Sequence, residues 1–167
     1  MFPPRTDSCF FWRGGPEKEL AELAPILSIL GKETLHLGDV GAGMTGKLII
    51  NTLLAAQMES LAQTVSLGED LGFSRERILD LVFKSPLSCA FYQLKKENLT
   101  KRDYPKAFSV ALMEKDLALA QKECLERSIS STFATELRGP FQKALEQGFG
   151  DQDLSAVFEV FRGRNPS

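Results

Sequence analysis

The chain has 167 residues, enough for one domain with a real core. A formal net charge of -2, with 43% apolar and 25% charged residues, fits an ordinary globular protein and gives no basic face for nucleic acid. No window holds the roughly 20 uninterrupted apolar residues of a membrane span, and "MFPPRTDSCFFWRGG" lacks the apolar core of a signal peptide, so the expected compartment is the cytoplasm.

Residues 9–13, "CFFWR", read as a short strand closed by Gly14-Gly15. Pro16 opens a helix in which Leu20, Leu23, Ile26, Leu27 and Leu30 follow helical spacing, with Gly31 as its cap. "ETLHLG" is a second strand. The result is a β-α-β piece too small to bury both faces of a sheet, which needs a larger partner structure or another chain.

From Gly43 the period changes. "LIINTLLAAQM" is apolar nearly all round, which predicts a long helix buried on every side and ending at Gly72. Ser74 is placed to cap the next helix, with Glu76 near the capping-box position. Pro86 is expected to start a helix reaching toward Asn98, and residues 100–109 to form a loop. Residues 109–127 and 131–147 are helical, the second kinked or split at Gly139-Pro140. Asp153 or Ser155 caps a last helix to Arg162. Most of the chain is thus an all-helical bundle.

Chemistry-bearing residues are few. Cys9, Cys89 and Cys124 are odd in number and widely spaced, so reduced structural thiols are expected, and no metal site. His36 is the single histidine, which makes a Ser-His-Asp triad or a His-based zinc site improbable. It could serve as a lone base, but a packed or edge histidine is the competing reading.

The stretch "TLHLGDVGAGMTGKLIIN" offers three readings. Gly41, Gly43 and Gly46 spell G-x-G-x-x-G, but no second strand and no acidic residue follow at the distance a dinucleotide loop needs. Gly41, Gly46 and Lys47 approach a P-loop, but Leu48 stands where Ser or Thr must hold magnesium. The third reading centres on Lys47 and Asn51, which share one helix face at i, i+4. The helix dipole and partial burial both disfavour a charged ammonium there, which suits a general acid or base. The amide of Asn51 could bond a substrate hydroxyl or carboxylate. A lysine that snorkels to the surface is the alternative.

"GDVGAGMTGKLIIN" resembles the domain-junction motif G-x-x-G-x-G-x-x-x-K-x-x-x-N of the β-hydroxyacid dehydrogenases, through Gly38, Gly41, Gly43, Lys47 and Asn51. "MESLAQTVSLGEDLGFS", with Glu59, resembles the continuation of that helix. "YPKAFSVALMEKDLALA" resembles the F-x-(L/V)-x-L-x-x-K-D-L-x-L-A motif through Phe108, Lys115, Asp116 and Leu117, and "GFGDQDLSAVFEVF" resembles the closing G-x-G-D-x-D-x-S-A-V segment. The family includes 3-hydroxyisobutyrate dehydrogenases and the tartronate and glyoxylate/succinic semialdehyde reductases. The segments "FKSPLSCAF" and "KAFSVAL" lean toward the last branch.

The resemblance implies a mainly α fold: a 6-phosphogluconate-dehydrogenase-like C-terminal helical bundle with a long central helix. It divides the chain into residues 1–40, a β-α-β remnant of the dinucleotide-binding domain, and residues 41–167, an all-helical substrate and dimerisation domain. It further implies NAD or NADP as cofactor, with most of the cofactor site outside this chain, and a small hydroxyacid or semialdehyde as substrate. Lys47 is then the catalytic lysine, Asn51 binds substrate, and Lys115 and Asp116 serve the cofactor. A homodimer or higher homo-oligomer is expected. A non-catalytic dimerisation module with idle site residues is the alternative. Without the family, Lys115 and Asp116 would read as a solvated charge pair on an amphipathic helix.

Overall fold

The computed structural model describes residues 10–130 and 132–162, so Cys9 and Ser131 lie outside the described residues. The described chain forms two compact units that meet in sequence between Ile50 and Asn51.

In the first unit, strand β1 (Phe10–Arg13) leads into helix α1 (Glu17–Leu30) and strand β2 (Glu33–His36). The strands pair in parallel, Phe10 opposite Glu33 through Arg13 opposite His36, as a β-α-β connection requires. Gly31 ends α1 in an extended conformation, its N–H donating to the Leu27 carbonyl. No residue of α1 is buried. Leu23, Ile26, Ile29 and Leu30 on α1 and Leu35 on β2 are all exposed. One helix on two strands leaves most of this apolar surface uncovered, as the small β-α-β piece predicts.

The turn after β2 opens helix α2 (Ala42–Asp70). Gly41 sits at φ 96°, a left-handed conformation that L side chains rarely adopt. Gly43 is needed for another reason. A Cβ there would lie 2.5 Å from the Trp12 carbonyl oxygen, so its absence lets the backbone of α2 approach the backbone of β1.

The second unit is helical and holds one apolar core. On α2, Ala55, Met58, Leu61, Ala62 and Val65 are buried; their spacing of three and four marks a single face. Leu53 and Leu67 are exposed. The expectation of burial on every side is therefore corrected: the helix is apolar all round, but only one stripe of it is covered. Gly72, at φ 88°, closes α2.

Helix α3 (Arg75–Lys84) follows Ser74, whose backbone takes the N-cap conformation but whose side chain makes no capping bond. The expected capping box is absent because Glu76 stands one position short of the one that reaches back. Helix α4 (Ala90–Lys101) starts at Ala90 rather than Pro86. Pro86 instead occupies a turn in which the Leu87 N–H donates to Ser85 Oγ and the Ser88 N–H to the Ser85 carbonyl. Ser109 caps helix α5 (Val110–Glu126), accepting from the Leu112 N–H. Helix α6 (Thr132–Glu146) contains Pro140 and is not split. Ala134, Leu137, Phe141 and Ala144 are buried on both sides of the proline, so tertiary packing outweighs the lost hydrogen bond. Arg138 joins α6 to α5 through Glu114 Oε1 at 2.7 Å and Gln121 Oε1 at 2.9 Å.

The chain then makes a 3-10 turn (Leu154–Val157) and a short helix α7 (Phe158–Phe161). Asp153 caps the turn and is fully buried. Its carboxylate accepts from Lys95 Nζ at 2.8 Å, Ser155 Oγ at 2.7 Å, the Ser155 N–H at 3.1 Å and the Phe108 N–H at 3.3 Å. Asn98 Nδ2 donates to the same carboxylate and to Ser155 Oγ. Burial pushes the Asp153 carboxyl up, but the Lys95 ammonium and the Ser155 donors outweigh it, and the group titrates below its ordinary value.

Two outcomes follow from this packing. Asp153→Ala leaves Lys95 buried without its counter-charge and should cost about 3–5 kcal/mol in chemical denaturation. In the wild type, the stability that Asp153 contributes is complete above its unfolded pKa of about 3.9 and is lost as pH falls through the lower folded value. A pH titration of stability should lose this acid-side component in the variant. Gly43→Ala drives a methyl into the β1 backbone and should lower stability by about 1–3 kcal/mol, with the loss seen in hydrogen exchange of β1.

Candidate functional site

Two sequence motifs, 65 residues apart, meet in the second unit. Asn51 Nδ2 donates to Asp116 Oδ2 at 2.6 Å. Lys115 Nζ lies 2.9 Å from the other carboxylate oxygen, Oδ1. The α5 sequence explains the arrangement. Val110, Met113, Leu117 and Ala120 are buried at helical spacing and turn one face of α5 into the core. Asp116 falls on that face and is 2% exposed, while the Lys115 side chain next to it is 53% exposed. The reading of Lys115 and Asp116 as a solvated charge pair therefore applies to the lysine alone. A carboxylate so deeply buried requires partners, and Asn51 and Lys115 are two of them.

Lys47 lies near the start of α2, half-buried, one turn before Asn51 on the same helix. Two of the glycines around it, Gly43 and Gly46, are engaged in packing. The space a Cβ would take at Gly43 is met by the Trp12 carbonyl, and at Gly46 by Leu37 Cδ1 at 2.5 Å. Close approach at Gly43 is thus by β1 and not by a substrate. His36 is exposed, with Nε2 at 2.9 Å from both the Gly15 and Gly38 carbonyls. Two acceptors require a proton on Nε2, so the histidine ties together the turns after both strands. Cys89 and Cys124 are free thiols.

Glu59, carried by the second motif, has a perturbed carboxyl. Burial pushes it up to about 6, against a hydrogen bond from Gln63. Oε1 accepts from Gln63 Nε2 at 3.0 Å, and Oε2 is buried without a hydrogen-bond partner. The groove around it is lined by Ala56, Ser60, Gln63, Phe133 and Leu137. Sequence reasoning placed Glu59 in a motif without a role. It also gave Asp153 only a cap, where the structure gives it Lys95, Asn98 and Phe108 as well. An acid in an apolar run, "DLSAVF", was the available signal.

A protein-family model described as "NAD-binding of NADP-dependent 3-hydroxyisobutyrate dehydrogenase" matches residues 41–161. The chain belongs to this family, the β-hydroxyacid dehydrogenases. It is 29% identical over 160 residues to glyoxylate/succinic semialdehyde reductase 2 of Arabidopsis thaliana, covering 96% of this chain and 45% of that protein. It is 31% identical over 149 residues to 2-(hydroxymethyl)glutarate dehydrogenase of Eubacterium barkeri, covering 89% and 50%. Among solved structures, the Mycobacterium tuberculosis 3-hydroxyisobutyrate dehydrogenase determined with L-serine aligns with a TM-score of 0.82 at 26% identity, over 93% of this chain and 56% of that one. The chain spans about half the length of the curated relatives it matches. The mainly α bundle preceded by a small β-α-β piece is the architecture the resemblance predicts. Among the described residues, no helix is long and apolar enough to cross a membrane.

Because the folded Glu59 carboxyl titrates near pH 6, above its unfolded value, the stability linked to it is present at low pH and lost as pH rises through 6. Glu59→Gln should abolish that loss and raise the thermal midpoint at pH 7.5 relative to wild type. An equal fall between pH 5 and 7.5 in both proteins would contradict the assignment.

Proposed function

We propose that the chain is the C-terminal part of an NAD(P)-dependent oxidoreductase acting on small β-hydroxyacids or semialdehydes. What supports this reading is the meeting of Asn51 with Asp116, which joins two motifs of a chain that belongs to the β-hydroxyacid dehydrogenases. Lys47 is the general acid/base. In reduction it gives a proton to the carbonyl oxygen; in oxidation it takes the proton of the hydroxyl. The nicotinamide, when bound, supplies or accepts the hydride. Asn51 orients the substrate. Lys115, with its exposed ammonium, fits one end of the cofactor, and Asp116 takes part by holding that ammonium in place. Gly43 and Gly46 are packed against Trp12 and Leu37, so the residues of this chain are assigned to the reacting end of the cofactor. A small semialdehyde is the preferred substrate, in line with the plant reductase, and the cytoplasm is the proposed compartment.

A homodimer is part of the proposal. The second reading, a non-catalytic dimerisation module, draws on one observation: Leu53 and Leu67 on α2, with Leu71 and Phe73 after it, are exposed apolar side chains.

The test is oxidation of NADPH or NADH in the presence of glyoxylate or succinic semialdehyde, followed by nicotinamide absorbance. With most of the cofactor site outside it, the wild-type chain should turn over slowly, and Lys47→Ala should lower that rate about 10²–10⁴-fold. No turnover by wild type, with no heat of cofactor binding by calorimetry, contradicts the catalytic reading and leaves the dimerisation module.

A further inference from the structure

Among the described residues, Glu59 is the one ionisable group lining the groove between α2 and α6, a space of about 690 Å³. That is the size of a small-molecule site. Ser60, Gln63 and Thr64 add hydroxyl and amide oxygens to its wall, and Leu67, Phe133 and Leu137 add apolar surface. Phe133 is 51% exposed, so its ring is still open to a ligand.

The Glu59 carboxylate is only half satisfied. Oε1 accepts from Gln63 Nε2 at 3.0 Å, and Oε2 is buried with no hydrogen-bond partner. A carboxylate so placed calls for a donor, and a charged donor serves it best. The described groove residues include no cation. Arg138, next to Leu137 on α6, is committed to Glu114 and Gln121 of α5. Burial raises the Glu59 carboxyl, and the Gln63 bond alone opposes that. The last torsion of a glutamate side chain is soft, so the carboxylate can turn Oε2 toward the groove.

We propose that the α2–α6 groove is a second ligand site, which takes a small primary ammonium carrying an apolar group, with Glu59 as its counter-charge. An ammonium brings three N–H donors and no acceptor. One bonds Glu59, and the hydroxyl and amide oxygens beside it take the others. The apolar group packs on Phe133, whose ring also attracts a cation. The groove is separate from the proposed hydroxyacid site. Glu59 lies about two turns along α2 from Asn51, and Ser60 about two and a half, on the opposite side of the helix.

Isobutylammonium and isobutanol share a carbon skeleton and differ in the charged head. Each is titrated into the full chain by NMR at pH 7.5. The ammonium should bind about tenfold more tightly, with shifts centred on Ser60, Gln63 and Phe133. At pH 5 most of Glu59 is protonated, since its carboxyl titrates at about 6. Ammonium binding should then weaken about tenfold, with isobutanol unchanged. Glu59→Gln keeps the shape and removes the charge; it should abolish the preference at both pH values, with the thermal midpoint as the control for folding. Glu136→Gln, which removes an exposed acid of α6, should leave the preference intact. Equal binding of the two probes by wild type, or no binding of either, overturns the proposal. So does a preference that survives Glu59→Gln, or one that is the same at pH 5 and 7.5. Equal losses in Glu136→Gln and Glu59→Gln overturn it too, because the attraction is then the general negative charge of the surface. Loss of binding as the chain is concentrated means that a second copy covers the groove, which also overturns it.

Discussion

The helical unit depends on one buried carboxylate. Asp153 is enclosed by the core, and it takes hydrogen bonds from Lys95 and Asn98 on α4, from Ser155 in its own turn and from the Phe108 N–H just before α5. Those bonds join three stretches that apolar packing alone would bring near one another without fixing their register. Backbone pairing continues the same arrangement: the Leu154 N–H donates to the Phe108 carbonyl and the Val110 N–H to the Gln152 carbonyl. The start of α5 is thereby set by the end of the chain. Asp116 lies two turns into α5, so where it meets Asn51 follows from where Asp153 holds Phe108. A buried ion pair contributes little net stability compared with apolar packing; its value here is in specifying geometry.

A different constraint governs the first unit. Its two parallel strands and one helix bury little, and its apolar side chains stay largely in solvent. What defines it is backbone proximity. The first turn of α2 lies against β1 because Gly43 has no Cβ, and His36 Nε2 links the Gly15 and Gly38 carbonyls across the turns. The glycine run that imitates a nucleotide fingerprint is thus a packing device between strand and helix, with Lys47 and Asn51 on the helix that follows.

Much of this was legible in the sequence. Helical periodicity located α1, α2 and α5, because amphipathic spacing reports directly which face meets a core. Short runs ended by glycine, "CFFWR" before Gly14-Gly15 and "ETLHLG", located both strands. The errors came where local rules compete with packing. Pro86 is a fair helix start by itself, but Ser85 captures the Leu87 N–H in a turn and the helix waits until Ala90. Gly139-Pro140 ought to break a helix, yet Leu137 and Phe141 anchor α6 on both sides. Composition made α2 look buried all round, but composition states what a helix can bury and not what is there to cover it. The burial of Asp116 was out of reach, since in "MEKDLALA" nothing tells a solvated acid from one enclosed by residues dozens of positions away.

Within the helical unit, Asn51 and Asp116 are held together by one hydrogen bond of 2.6 Å. The most direct measurement is a crystal structure of the chain with 3-hydroxypropanoate bound. The account predicts the ligand beside Asn51, with the Asn51 NH2 still donating to Asp116. A ligand bound away from Asn51, or an Asn51 amide turned away from Asp116, would contradict it.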